Sequence, residues 1–181
     1  MTAQTVIALL ALSSGTIAAA DWRVDRGDVR IVCPLTVGGS FEARTPSIQG
    51  SLGDGFSVDL RTLDSGVGLR NDHLRNKYLE VGKGDGFDKA VLSDIRLPNI
   101  DLDSFQGRTT FTGTLQLHGT RKMIAGQVQI RRSPSSVRVE ASFPVKLADY
   151  GIVKPRYLGV GVKDEVEARV DFVATSAGAR R

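Results

Sequence analysis

The sequence predicts an all-β protein of about eight antiparallel strands with one short helix, an up-and-down barrel or a sandwich, and the barrel is preferred because its closure leaves no exposed edge. Three observations carry that prediction. From Trp22 onward apolar and polar residues alternate with period two in run after run, so each strand has one dry face and one wet face. Turn-forming glycines, prolines and aspartates separate the runs. The 181 residues include 20 glycines but only 6% aromatics, a composition that suits many turns and an interior that is not filled by large rings.

The chain length fits one domain. Residues 1–20 differ from the rest. They carry no charge, hold an apolar stretch near Val6–Leu12, and end in Ala18-Ala19-Ala20, an A-x-A type cleavage signal before Asp21. The expectation is a signal peptide over 1–20, although the usual basic residue at its start is missing. Residues 21–181 are then the mature barrel domain, periplasmic or, as the alternative, secreted. The apolar stretch is too short and too interrupted for a transmembrane anchor.

The strands follow in order. Cys33 lies in the apolar run "VRIVCPLTV" and reads as a small buried hydrophobe. A lone cysteine leaves no internal disulfide, and an intermolecular one is the minor alternative. The tripeptide Arg26-Gly27-Asp28 falls at an expected strand start and is short enough to occur by chance. In "FSVDLRTL" Phe56, Val58 and Leu60 share a face. In "FTGTLQL" Phe111, Leu115 and Leu117 do so, and in "IAGQVQIR" Ile124, Val128 and Ile130. Val137, Val139, Ala141 and Phe143 align in "VRVEASFPV", and Val166, Ala168, Val170 and Phe172 in "VEARVDFVA". Turns are expected at Gly53–Gly55, Gly82–Gly86, Gly119, Ser133-Pro134 and Gly159–Gly161, with the "GKGDG" segment as a flexible hairpin tip.

Leu69–Val81, "LRNDHLRNKYLEV", is the helical exception. Leu74, Tyr78 and Leu79 give it an apolar side, and Asn71 or Asp72 is expected to cap its N-terminus. Asp72 and His73 are adjacent, so on a helix they point about 100° apart and do not form a relay. His73 instead faces Lys77 one turn on. No G-x-S-x-G elbow or helical S-x-x-K supplies a nucleophile, and Cys33 stands in an apolar run. His73 and His118 are isolated, with no H-x-H or C-x-x-C spacing for a metal. In "NIDLDS" Asn99, Asp101 and Asp103 share a strand face, which reads as solvated polar surface before it reads as a cation site. The net charge of +4 is dispersed, without the basic stripe of a nucleic-acid binder. No catalytic group, metal or cofactor is expected.

Several segments, in order, resemble the YceI-like family of exported lipid-binding barrels. "GVGLRNDHLRNKYLEV" resembles its R-D-x-H-L segment, "GTLQLHGTRKMIAG" its later strand–turn–strand, and "LADYGI" with "VKDEVEARVDFVA" its closing motif and last strand. "GGSFEA" is similar to an early G-x-F element, and Trp22 with Asp25 to a W-x-[IV]-D opening. "RGDVRIV" stands where the family has H-S-x-[IV]-x-F, and "LPNIDLD" where it has Y-P-x-I-x-F.

The resemblance implies a lipocalin-like barrel with an elongated apolar pocket for polyisoprenoids or similar amphiphiles, the Leu69–Val81 helix lying at its opening. The inward residues expected from alternation are Phe41, Val58, Leu60, Leu115, Leu117, Val139, Phe143, Val170 and Phe172. Arg70, Asp72, His73 or Tyr150 is expected to hydrogen-bond a polar head at the mouth. The partner expected is a lipophilic ligand, with transient membrane contact allowed for and no nucleic acid, on a monomer or homodimer. Two other readings stay open. One is an enzyme on a lipophilic substrate using His73 or His118. The other is a ligand-free structural or stress-response barrel.

Overall fold

The computed structural model describes residues 22–98, 100, 104–157 and 159–176. The expected signal peptide and the polar face of Asn99, Asp101 and Asp103 lie outside the described residues.

The alternating runs form β1 (Trp22–Pro34), β2 (Ser40–Thr45), β3 (Gln49–Ser51), β4 (Gly55–Asp59), β5 (Lys89–Arg96), β6 (Gly107–Leu117), β7 (Thr120–Arg132), β8 (Ser136–Lys146), a small hairpin of β9 (Arg156–Tyr157) and β10 (Val160–Gly161), and β11 (Glu165–Ser176). β2 and β3 are two pieces of one stave beside β1. Each stave pairs antiparallel with the next in sequence, and β11 closes on β1 from Trp22↔Ser176 to Val32↔Glu167. The result is a closed eight-stave up-and-down barrel. Closure satisfies the backbone groups that an open edge would leave exposed.

The inward faces make the core: Phe111 and Leu115 from β6, Val128 and Ile130 from β7, Phe143 and Val145 from β8, Val166 and Ala168 from β11. The outward faces carry charge. Arg131 on β7 pairs with Glu140 on β8, and Arg138 on β8 with Asp171 on β11. A membrane-spanning barrel needs the reverse, an apolar outer band.

Two staves change face midway. Asp25 is an extra residue between Val24↔Ala174 and Arg26↔Val173. A second irregularity falls between Ser93 and Arg96 of β5, where Asp94 has φ 52. A bulge of one residue exchanges inner and outer positions beyond it. The inward set of β1 is therefore Val29, Ile31 and Cys33 after the bulge but Trp22 before it. Arg26-Gly27-Asp28 lies inside this paired region, not at a strand start.

Two long connections leave the same end of the barrel and fold over it. The first, between β4 and β5, holds α1 (Gly68–Asp72), a wider π-helical turn over His73–Tyr78 and a 3₁₀ turn over Val81–Lys83. The second, between β8 and β11, holds a 3₁₀ turn over Leu147–Tyr150 and the β9–β10 hairpin. The first is stitched to the wall by Arg44 N–H to Asp64 O and Asp64 N–H to Arg44 O, both 2.7 Å. Arg75 Nε and Nη2 donate to Leu63 O at 2.8 and 2.6 Å.

The helix starts earlier than expected, and neither Asn71 nor Asp72 caps it. Its N-cap is Val67, without a side-chain bond. Asn71 works backward instead, its Oδ1 accepting from Ser65 N–H and Oγ and its Nδ2 donating to Asp64. The preceding turn satisfies it first, as such short polar side chains favour. The "GKGDG" segment is likewise no hairpin tip. It belongs to this cap, and Gly119 N–H donates to Gly86 O at 2.8 Å.

Candidate ligand-binding cavity

The barrel encloses a cavity of about 610 Å³. That is roughly four times an engineered apolar hole that stays dry and takes up benzene, and within the usual range for small-molecule sites. It is elongated. On β8 its lining runs from Val137 to Val145, which at ~3.4 Å per residue and a tilt near 40° spans about 20 Å along the barrel axis.

Glycines set its bore as much as apolar side chains do. Phe111 and Phe143 meet edge to face, centroids 5.9 Å apart at 87°. Gly126 of β7 sits between them, and a Cβ there would fall 2.7 Å from Phe111 Cε1 and 2.8 Å from Phe143 Cβ. Nearer the other end Phe56 and Phe172 lie 5.0 Å apart at 44°.

The nine apolar residues expected inside, Phe41, Val58, Leu60, Leu115, Leu117, Val139, Phe143, Val170 and Phe172, all line this cavity. The four polar ones are placed differently. Arg70, Asp72, His73 and Tyr150 are not part of its lining. Arg70 stands over the ring of Phe41, 4.5 Å from its centroid. Asp72 is exposed and accepts from Asn76 Nδ2 at 2.6 Å, so it does not orient His73. Tyr150 is 2% exposed, its hydroxyl buried and without a partner among the described residues, and burial raises its pKa.

Cys33 lines the cavity, and burial pushes its thiol up to about 12 against the opposing pull of the Arg70 charge. It stays protonated and behaves as the small hydrophobe the sequence suggests. Among the described residues no three His, Cys, Asp or Glu side chains gather closely enough to hold a metal ion.

The two ends of the cavity differ. At the capped end the lining is Leu63, Leu74, Leu79, Leu147, Ile152 and Val162, with Tyr78 among them. The cap is latched by the other histidine. His118 lies in the β6–β7 turn, where it and Gly119 have φ 50 and 72, the two positive angles of a type I′ hairpin. Its Nδ1 lies 2.9 Å from Tyr150 O and its Nε2 3.0 Å from Glu80 Oε2, while Phe87 packs against its ring at 4.7 Å. One ring therefore ties both long connections to the barrel.

At the far end Trp22 of β1 and Arg132 of β7 lie across the mouth, the guanidinium 5.7 Å from the indole centroid. Sequence reasoning missed both. Arg132 has the same parity as Val128 and Ile130, so a charge on the inward face was the available signal. Trp22 was hidden by the bulge at Asp25, which reverses the parity of β1.

A family model described as the YceI-like domain matches residues 22–174. The chain belongs to that family. Solved YceI-like structures repeat the fold at low identity. A polyisoprenoid binding domain from Saccharophagus degradans, implicated in plant cell wall breakdown, is 17% identical with a TM-score of 0.68 over 87% of this chain and 99% of that one. BcnA of Burkholderia cenocepacia is 16% identical, TM-score 0.62, over 82% and 96%. The YceI protein of Campylobacter jejuni is 13% identical, TM-score 0.52, over 97% and 93%. A search of curated protein sequences finds no match.

Proposed function

We propose that this YceI-like barrel is an exported carrier that holds one long-chain amphiphile, such as a polyisoprenoid, without covalent chemistry. The observation that carries the reading is the elongated apolar cavity running from the cap to the far mouth. Hydrocarbon buried there contributes about 0.8 kcal/mol per CH₂, so a tail of many carbons supplies most of the affinity. The Saccharophagus neighbour, a polyisoprenoid binding domain, supports the ligand class.

The polar side chains favour holding over reacting. The thiol that faces the cavity is protonated, Asp72 is bonded to Asn76, and both nitrogens of His118 are engaged in the latch. Export rests on the signal-like residues 1–20. Transient contact with a membrane fits the exposed Val37, Leu69 and Val153 at the capped end.

The test is native mass spectrometry of the mature protein purified from its exported compartment, followed by solvent extraction. A stoichiometric amphiphile supports the carrier. A protein that arrives empty and also refuses added isoprenoids overturns it in favour of the ligand-free barrel. Turnover that disappears on substituting His73 or His118 overturns it in favour of the enzyme.

A further inference from the structure

We infer that the far mouth, through Arg132 and Trp22, binds the anionic oxygen head of the cargo, so that the tail points toward the helical cap. The inference rests on the carrier reading of the same cavity and adds the ligand's orientation and head-group class.

Arg132 is the one charged residue in the lining among the described residues. Its Nε donates to Phe105 O at 3.0 Å, and no carboxylate among the described residues pairs with it. That leaves the Nη donors of a half-buried guanidinium at the cavity mouth. Beside it, Trp22 Nε1 is buried and without a partner among the described residues. A buried donor left unpaired is costly, and an unpaired cation near apolar surface more so. β1 and β7 are separated in the sheet by β11 and β8, so the two side chains converge across the opening from different parts of the wall.

Among the described residues, the free polar groups identified at this mouth, Arg132 Nη and Trp22 Nε1, are both donors. Donors without acceptors select a ligand oxygen, and the positive charge selects an anionic one, a phosphate or a carboxylate. An alcohol satisfies the geometry but not the charge. Among the described residues the lining at the capped end carries no such charge, since Arg70 lies outside it over Phe41. The head-group site expected there from the sequence therefore moves to the opposite end of the barrel.

Trp22 is the chain's one tryptophan, so its fluorescence reports from the site itself. The experiment titrates the full mature protein with farnesol, farnesoic acid and farnesyl phosphate, reading Trp22 emission and displacement of a lipophilic dye. Both anionic probes should bind about tenfold or more tightly than farnesol and change the emission more strongly. Arg132→Gln should bring all three to the affinity of farnesol, with circular dichroism confirming that it folds. The wild-type comparison needs no variant and decides the head-group preference alone. Equal binding of the three probes overturns the inference and leaves the carrier standing. A preference lost in Arg70→Gln but kept in Arg132→Gln overturns the orientation. Inorganic phosphate giving the full emission change by itself reassigns the site to a free anion. Binding of none of the probes overturns both readings.

Discussion

Gly126 shows how one missing side chain shapes the interior. The rings of Phe111 and Phe143 occupy the space over its backbone, and a Cβ would also press on Ser142 O. Gly126→Ala is therefore expected to destabilise the protein by about 1–3 kcal/mol through overpacking, read as a lower urea midpoint with an unchanged slope. Gly27 stands in the same relation to Phe172, whose Cβ would lie 2.5 Å from an added methyl. Cys33 gives a chemical check of the cavity. With its thiol near 12, native protein should resist a disulfide reagent at pH 8 for as long as it stays folded. One thiol should react on unfolding, and rapid labelling of native protein would show the wall at Cys33 to be open.

The long β4–β5 connection is held by polar contacts as well as by its buried Leu60, Leu63, Leu74 and Val81. Two of its carboxyl groups, and that of Asp59 at the end of β4 where it begins, lie below their usual range. Asp59 is lowered first by its bond from Arg61, Asp64 by Gly66 N–H and Asn71, and Glu80 by Lys83 with a smaller contribution from His118. A carboxyl whose pKa is lower folded than unfolded stabilises the fold above its ordinary range. That contribution fades as pH falls through the folded value. Acid below about pH 4 should therefore loosen the cap before the barrel. Hydrogen exchange should rise over 60–88 while β6–β8 stay protected, and uniform loss would refute the separation. The latch has its own test. His118→Asn keeps a residue suited to the positive φ of the turn but shortens the reach to Glu80. Exchange near 80–88 and 147–152 should quicken with the hairpin intact.

For the molecule as a whole the decisive quantity is the empty volume. Ala141 of β8 lines the cavity with a small side chain. Ala141→Phe should fill part of the bore and weaken binding of a long-chain probe by tenfold or more, with circular dichroism unchanged. If binding is untouched, the ligand does not pass that level. The closed wall also explains why the barrel tolerates such a hole. β11 pairs with both β1 and β8 over nearly its full length, and the backbone ladder holds the shape that a filled core would otherwise supply.

Alternation along single strands was enough to read the class of fold and most of the wall. Side chains on a strand alternate with period two whatever lies beyond it, so Val58, Leu115, Val139 and Phe172 could be placed inward without knowing their neighbours. The likeness to the YceI-like family was legible in the same way, from short motifs in order. The ends of the barrel were not. Which face Trp22 takes depends on one extra residue in β1, and whether Asn71 caps a helix depends on what else Asp64 and Ser65 offer it. His118 looked isolated because its partners, Glu80 and Tyr150, lie far along the chain and meet only when two connections fold over one end. Local periodicity is written residue by residue. A bulge, a cap and a mouth are made by groups that only closure of the barrel brings together.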